Sequence, residues 1–229
     1  MKTNHHPASS SPHAGRPVAR KSVGAKRELI LAAAMPLFAE RGYHAARMDD
    51  LAASLSIAKG SIFQHFGSKE TLFLEVYKKS SRSFSAYLDV PAEIRHGGFF
   101  EVLRYWLAHT EHMVREDWIP YRIQLLGNYG ADLTLKREIN RFLVAEDPFG
   151  RVAFVHFGLE RKELRNELDV EMIVSLLDWV VERFQDALLV EELDPGLFRR
   201  HGASVDKKEA RIKQFLDVLR RAIGTERNR

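Results

Sequence analysis

Lys59, Gly60, Ser61 and Gln64 stand close together in the chain, preceded by Arg47 and followed by His65, Ser68 and Lys69. These side-chain types hydrogen-bond the base edges and phosphates of a duplex. Lys59 suits the acceptors of a guanine edge, Gln64 the donor–acceptor pair of adenine, and Ser61 either a base or a phosphate. Gly60 carries no side chain, so backbone can come near the duplex there. Arg47, His65, Ser68 and Lys69 are the candidates for holding phosphates.

Such residues need a scaffold of short helices, and the flanking pattern predicts one. Leu29, Ile30, Ala33, Leu37 and Phe38 recur at helical spacing. They predict a helix from about Lys26 to Glu40 that ends at Gly42. Pro36 inside it predicts a kink, because it lacks a backbone donor and crowds the preceding turn. Met48 or Asp49 opens a second short helix, with Leu51, Ala52 and Leu55 inward and an acidic first turn that suits the helix dipole. Ser54 to Ile57 makes the turn. A third helix, about Ala58 to His65, is anchored by Ile62 and Phe66 and turns Lys59, Gly60, Ser61 and Gln64 outward. Ser68 then caps a fourth helix whose N-terminus, with Lys69, suits a phosphate. Three amphipathic helices that merely form a corner of a core would show the same pattern, so periodicity alone leaves both readings open.

The finer order of residues discriminates. Phe38-Ala39-Glu40-Arg41-Gly42-Tyr43, then Asp49-Asp50-Leu51-Ala52, Lys59-Gly60-Ser61-Ile62-Phe63-Gln64-His65-Phe66 and Ser68-Lys69-Glu70 together resemble the N-terminal domain of TetR-family transcriptional repressors, over about residues 27–74. The resemblance implies an all-α chain with a three-helix helix-turn-helix DNA-binding domain and a C-terminal helical ligand-binding and dimerisation domain. It also implies a homodimer on a palindromic double-stranded DNA operator, released by a small, largely apolar inducer and needing no cofactor. Three positions depart from the family pattern. Phe63 stands where Tyr is usual, which removes a phosphate contact of ~1 kcal/mol. Ser56 replaces a frequent turn glycine, and Ala58 replaces the usual Ser/Thr cap of the third helix, a loss of roughly 0.5–2 kcal/mol. These departures bear on affinity and not on the fold.

Charge distribution agrees with that reading. The net charge is +4, but residues 1–80 hold 12 Lys/Arg against 6 Asp/Glu while the rest of the chain is slightly acidic. A basic head supplies the salt-dependent, sequence-blind part of DNA affinity. Residues 1–23 are poor in large apolar side chains and are expected to be a disordered basic arm, with Arg16, Arg20, Lys21, Lys26 and Arg27 as candidates to let it touch phosphates or a minor groove. The arm lacks the apolar run of a signal peptide, no stretch reads as a membrane span, and there is no cysteine. A cytoplasmic protein is expected.

Residues 24–74 are thus assigned to the DNA-binding domain, 75–223 to the ligand and dimerisation domain, and 224–229 to a tail. Phe73, Val76, Tyr77, Phe84 and Leu88 extend the fourth helix to Pro91. Further helices are predicted over Phe99 to Val114, Tyr121 to Leu126, Leu133 to Val144 and, from an ambiguous apolar run, Val152 to Phe157. By the resemblance, Tyr105, Trp106, His109, Met113, Trp118, Tyr121, Gln124, Tyr129 and Phe157 are candidates to line an apolar pocket. Aromatic and Met side chains at helical spacing also serve simply as core. Arg104 and Arg122 are candidates for an anionic head group. The Val170 to Val190 run is apolar nearly all round and a last helix, Val205 to Ala222, carries a cleaner stripe. Trp179, Val180, Phe184, Leu188, Ile212, Phe215 and Leu219 are therefore the expected contacts of a two-fold, four-helix interface.

Two other classes compete. A di-iron bundle enzyme needs two Glu-x-x-His motifs, and the chain has only Glu93-Ile94-Arg95-His96; His109 and His112 share a face without an evident third ligand. Neither a P-loop nor Gly-x-Ser-x-Gly occurs, so catalysis is not expected. A helical adaptor that keeps the head but not DNA affinity is the remaining alternative.

Overall fold

The computed structural model describes residues 17–85, 89–198 and 204–226. Among these the secondary structure is helical, apart from one antiparallel bridge between Leu164 and Gly224. The head is built from α1 (Pro17–Ala45), α2 (Met48–Ser54), α3 (Lys59–Phe66) and α4 (Lys69–Ser85). The body follows as α5 (Ala92–His96), α6 (Phe99–Glu116), α7 (Trp118–Leu125), a π-helical turn (Leu126–Gly130), α8 (Leu133–Glu146) and α9 (Arg151–Glu160). It closes with α10 (Val170–Leu177), a second π turn (Asp178–Glu182), α11 (Arg183–Leu189) and α12 (Val205–Ile223).

Helix α1 starts at Pro17, so residues 17–23 of the arm expected to be disordered are helical, while residues 1–16 lie outside the described residues. Proline fits a first turn, where its missing N–H has no partner to lose. The helix runs on past Pro36 and departs from helical geometry at Gly42, whose φ of 75° and ψ of 168° suit a residue without Cβ. Its buried stripe is Ile30, Leu31, Ala34 and Phe38. Leu29, expected in that stripe, lies one residue, or about 100°, outside it and is 54 % exposed. Of the residues expected to extend α4, the Phe84 side chain and Leu88 lie outside what is described.

A first core gathers α1, α2, α3 and α4 around Phe38, Leu51, Ile62 and Phe73. Phe38 and Phe73 meet edge to face at 5.1 Å. The same cluster continues into α7 and α8 through Ile123, Leu135, Ile139 and Phe142, so no gap in packing falls at residue 74. A second core joins α6 and α9 to α12. Phe184, Leu188, Ile212 and Leu219, expected between two copies, are at most 9 % exposed within one protomer. They are spent on this internal core and have almost no surface left to offer a partner; Phe184 and Phe215 stack face to face at 4.0 Å. Trp179 is different, at 65 % exposed. No helix among the described residues is long and apolar enough to cross a membrane.

The turn between α2 and α3 is held by Ser56 N–H to Ala53 O at 3.1 Å and Ile57 N–H to Ala52 O at 3.0 Å. Closing it puts Ser56 at φ 52°, a left-handed conformation that costs an L-residue roughly 1–2 kcal/mol. Glycine avoids that strain but loses more entropy on folding. Ser56→Gly is therefore expected to raise the unfolding free energy by about 0.5–1 kcal/mol, read by urea titration; an unchanged or lower midpoint would mean that the turn carries no such strain.

Candidate nucleic-acid interface and interior cavity

Helix α3 is fixed from below by Ile62 and Phe66, which are buried, while Lys59, Gly60 and Gln64 are exposed and Ser61 and His65 half-buried. Ala58 precedes it in extended conformation with no side-chain cap, leaving the helix start without a side-chain acceptor. A Cβ built on Gly60 would meet nothing within 4 Å, and its backbone is not left-handed. Neither packing nor conformation in the free chain calls for glycine at this position. Phe63 is partly buried against the first core.

Two cations around α3 are already engaged. Lys59 Nζ lies 3.0 Å from Asp49 Oδ2 in the first turn of α2, and this pairing holds the Asp49 carboxyl below its usual range. Lys69 Nζ donates to the His44 carbonyl at 3.1 Å and sits 5.0 Å from the centre of the Tyr43 ring. Burial pushes the Lys69 ammonium below its usual range. Ser68 Oγ accepts the Thr71 N–H at 3.1 Å and so caps α4 as the spacing predicts. Arg47 is exposed.

Between the two cores lies a cavity of about 170 Å³. Its apolar wall comes from Leu103 and Trp106 of α6, Phe149, Phe154 of α9 and Val174 and Leu177 of α10. Its polar wall comes from Tyr121 and Gln124 of α7, Asn128, Arg151, Asp178, Glu182, Gln185 and Asp186. An adjoining recess of about 270 Å³ shares Trp106, Phe149 and Phe154 and adds Arg95 and Phe157. Of the pocket candidates, Trp106, Tyr121 and Gln124 line the cavity and Phe157 the adjoining recess. Tyr129 is half-exposed but donates to Asp186 Oδ2 at 2.7 Å.

The remaining candidates are elsewhere. Tyr105 and His109 stack on each other at 3.9 Å, and neither lines the cavity because Trp106 takes the inward position between them. Met113 is core, Trp118 is 45 % exposed, and Arg104 pairs with Glu101 at 2.8 Å on the surface. Arg122 is exposed; the arginine on the cavity wall is Arg151. Asp147 positions it by accepting the N–H groups of Arg151 and Val152 at 2.9 and 3.1 Å, which fixes the start of α9.

The acidic wall belongs to the same Val170 to Val190 run whose apolar residues predict burial. Asp178, Glu182 and Asp186 recur every four residues there, so one face of an otherwise apolar helix is carboxylate. Arg151 bridges Asp178 at 2.7 Å. Asp186, 3 % exposed, accepts from Tyr121 at 2.9 Å and from Tyr129. Glu182 accepts from Asn128, which in turn accepts from Lys136 at 3.2 Å. Burial pushes the carboxyls of Asp178, Glu182 and Asp186 above their usual range; Glu182 reaches water at the cavity mouth but has protein on most sides. No three His, Asp or Glu side chains among the described residues converge to hold a metal ion.

A family model described as bacterial regulatory proteins, tetR family, matches residues 30–76. The HTH-type transcriptional repressor AcnR of Corynebacterium diphtheriae is 29 % identical over 168 residues, 73 % of this chain and 83 % of that protein. A structure described as a tetR family transcription regulator from a Shewanella species superposes with a TM-score of 0.62 at 18 % identity, covering 88 % of this chain and 99 % of that one. Another, described as a transcriptional regulator from Saccharomonospora viridis in complex with choline, superposes at 0.55 with 22 % identity, covering 89 % of this chain and 100 % of that one.

Two expectations follow from this geometry. Gly60→Ala is expected to leave the fold intact, raising stability by up to about 1 kcal/mol, while weakening duplex binding about tenfold or more, ~1.4 kcal/mol. Full duplex affinity in a folded Gly60→Ala protein would show that nothing approaches that backbone. The second concerns pH. A carboxyl whose pKa is raised by folding takes up its proton in the folded chain first, so it costs stability at neutral pH and that cost fades as the pH falls through the raised range. Glu182→Gln is expected to be more stable than the parent at neutral pH, with the gap closing on acidification. Denaturant titrations of both proteins across that range would reveal a constant gap if burial of the charge is not the cause.

Proposed function

The chain belongs to the TetR family of bacterial regulatory proteins, DNA-binding regulators and not enzymes, and from that premise we propose that it is a homodimeric, ligand-responsive repressor whose α3 reads a palindromic operator. Lys59, Gly60, Ser61 and Gln64 would present the reading surface, and Arg47, His65, Ser68 and Lys69 would hold phosphates. The ion pair of Lys59 with Asp49 lies at the surface, where water and salt screen it, so a phosphate or base can take its place at little cost.

The observation that carries ligand control is the double role of α7. Gln124 lines the cavity on one side and donates to Ser80 and Ser81 of α4 on the other, at 3.4 and 3.0 Å. Ser80 also donates to the Pro120 carbonyl at 2.8 Å. A ligand that shifts α7 therefore shifts α4, and with it the reading head packed on that helix. Two such heads move relative to each other in a dimer, which changes their fit to half-sites one helical turn or a multiple apart. Met172, Trp179, Val205 and Val218 are exposed apolar side chains on or beside the last long helices and support pairing of two copies there.

Fluorescence anisotropy with duplexes from upstream of the protein's own gene, against a scrambled duplex and over a salt series, tests the reading. Selective binding that falls steeply with salt is expected. Lys69→Ala should weaken all duplexes alike, whereas Gln64→Ala should change base preference. Absence of duplex binding beyond the scrambled control at low salt, across upstream sites, would favour an adaptor role instead.

A further inference from the structure

The cavity wall carries more negative charge than its own cations neutralise. Arg151 is taken by Asp178. Lys136 lies behind Asn128 and does not line the space. Arg183 turns to the Leu193 carbonyl and the Tyr129 ring. Glu182 and Asp186 receive hydrogen bonds only from neutral donors, Asn128 to the one and two phenols to the other; Arg151 and Lys136 act on Glu182 and Arg183 on Asp186 through space, without an ion pair among the described residues. Charge set in such a space without an ionic partner is costly, and a cation from outside relieves it.

A second observation points the same way independently of the carboxylates. Ser80 Oγ gives its proton to the Pro120 carbonyl and Ser81 Oγ to the Tyr77 carbonyl at 3.0 Å. Both hydroxyls can then only accept from Gln124, so the amide NH₂ must face them. Gln124 is 8 % exposed and lies on the cavity wall, and its Oε1 has no donor from the protein. An acceptor left open at the cavity wall can take an N–H or O–H from a guest. The rings of Trp106, Phe149 and Phe154 line the same cavity.

From this geometry we propose that the effector is an N–H-bearing organic cation, an amine or amidine on an aromatic or apolar body. Its charged group sits among Glu182, Asp186 and Gln124 Oε1, and its body lies against Trp106, Phe149 and Phe154. The proposal rests on the reading of this cavity as the effector site. The upward push that burial exerts on both carboxyls is the electrostatic counterpart of the missing cation. A carboxylate or phosphate guest would meet these two acids with Arg151 already paired. A hydrated metal ion finds no converging ligand set and a largely apolar lining.

Isothermal titration of the full chain with phenethylamine, 2-phenylethanol and 3-phenylpropionate compares one body carrying positive, zero and negative charge. The amine is expected to bind about tenfold or more tightly than the alcohol, with the acid weakest, and phenethyltrimethylammonium, which lacks N–H, weaker than the amine. Glu182→Gln should remove most of the amine's advantage and leave the alcohol unchanged. Equal affinities, a preference for the acid, an advantage that survives Glu182→Gln, or no heat from the amine at millimolar concentration would each overturn the proposal. No DNA is present in the titration, so it fails separately from the regulatory reading: amine binding without any effect on the duplex complex would sink ligand control alone.

Discussion

The lock between α4 and α7 is the constraint on which the rest of this molecule depends. Ser80 and Ser81 are completely buried in a seam that is otherwise apolar, and each of their polar atoms is satisfied by the facing helix or its own turn. An orphaned group there would cost about 1–3 kcal/mol, so the network admits one registration of the two helices. Gly127, just beyond α7, tightens it further: a Cβ at that position would lie 2.4 Å from Tyr77 of α4. Because α7 and α8 share one close-packed core with the head, the seam cannot yield at one side only.

On the other side of α7, the same polar chemistry is arranged for incompleteness. Asp178, Glu182 and Asp186 are brought to one wall by a helix that passes through a π turn at residues 178–182. The apolar faces of the same run, Ile173, Leu177, Phe184 and Leu188, are consumed by the second core. Asp186 therefore cannot turn away to solvent without unpacking that core, while Glu182 keeps contact with water at the cavity mouth. Burial raises their proton affinity, and only one of the three has an arginine partner. Natural sequences keep unfavourable arrangements of this kind where function needs them.

The head shows the opposite economy. Two of its cations are engaged in the absence of a duplex, Lys59 by Asp49 and Lys69 by the His44 carbonyl and the Tyr43 ring. Tyr43 is itself tied to Glu70 at 3.0 Å, and burial with this carboxylate pushes its phenol well above the usual range. The surface is thus ordered before any encounter, and exchange of one exposed partner for another is nearly neutral in energy. Open space around Gly60 and the uncapped start of α3 are the features that the free chain does not itself explain.

The helices of the head were legible in the sequence because their signals are local. Gly42, the Lys59 to Gln64 run and the Ser68 cap are set by spacing within one or two helical turns, and neighbours far along the chain change little there. The helical class was legible for the same reason, in the period of Ile30, Ala34 and Phe38 and of the later apolar stripes. What lies at a distance was not. Gln124 reads as one polar residue among apolar ones until Ser80 and Ser81 are brought against it from more than 40 residues away. Phe184 and Leu219 are apolar whether they face a partner or their own core, and periodicity cannot separate those fates. Sequence by itself determined which local shapes the chain takes and which side-chain types α3 carries. Tertiary structure alone decided which faces are used up internally, and hence where buried charge remains without a partner, because burial and pairing are properties of neighbours in space.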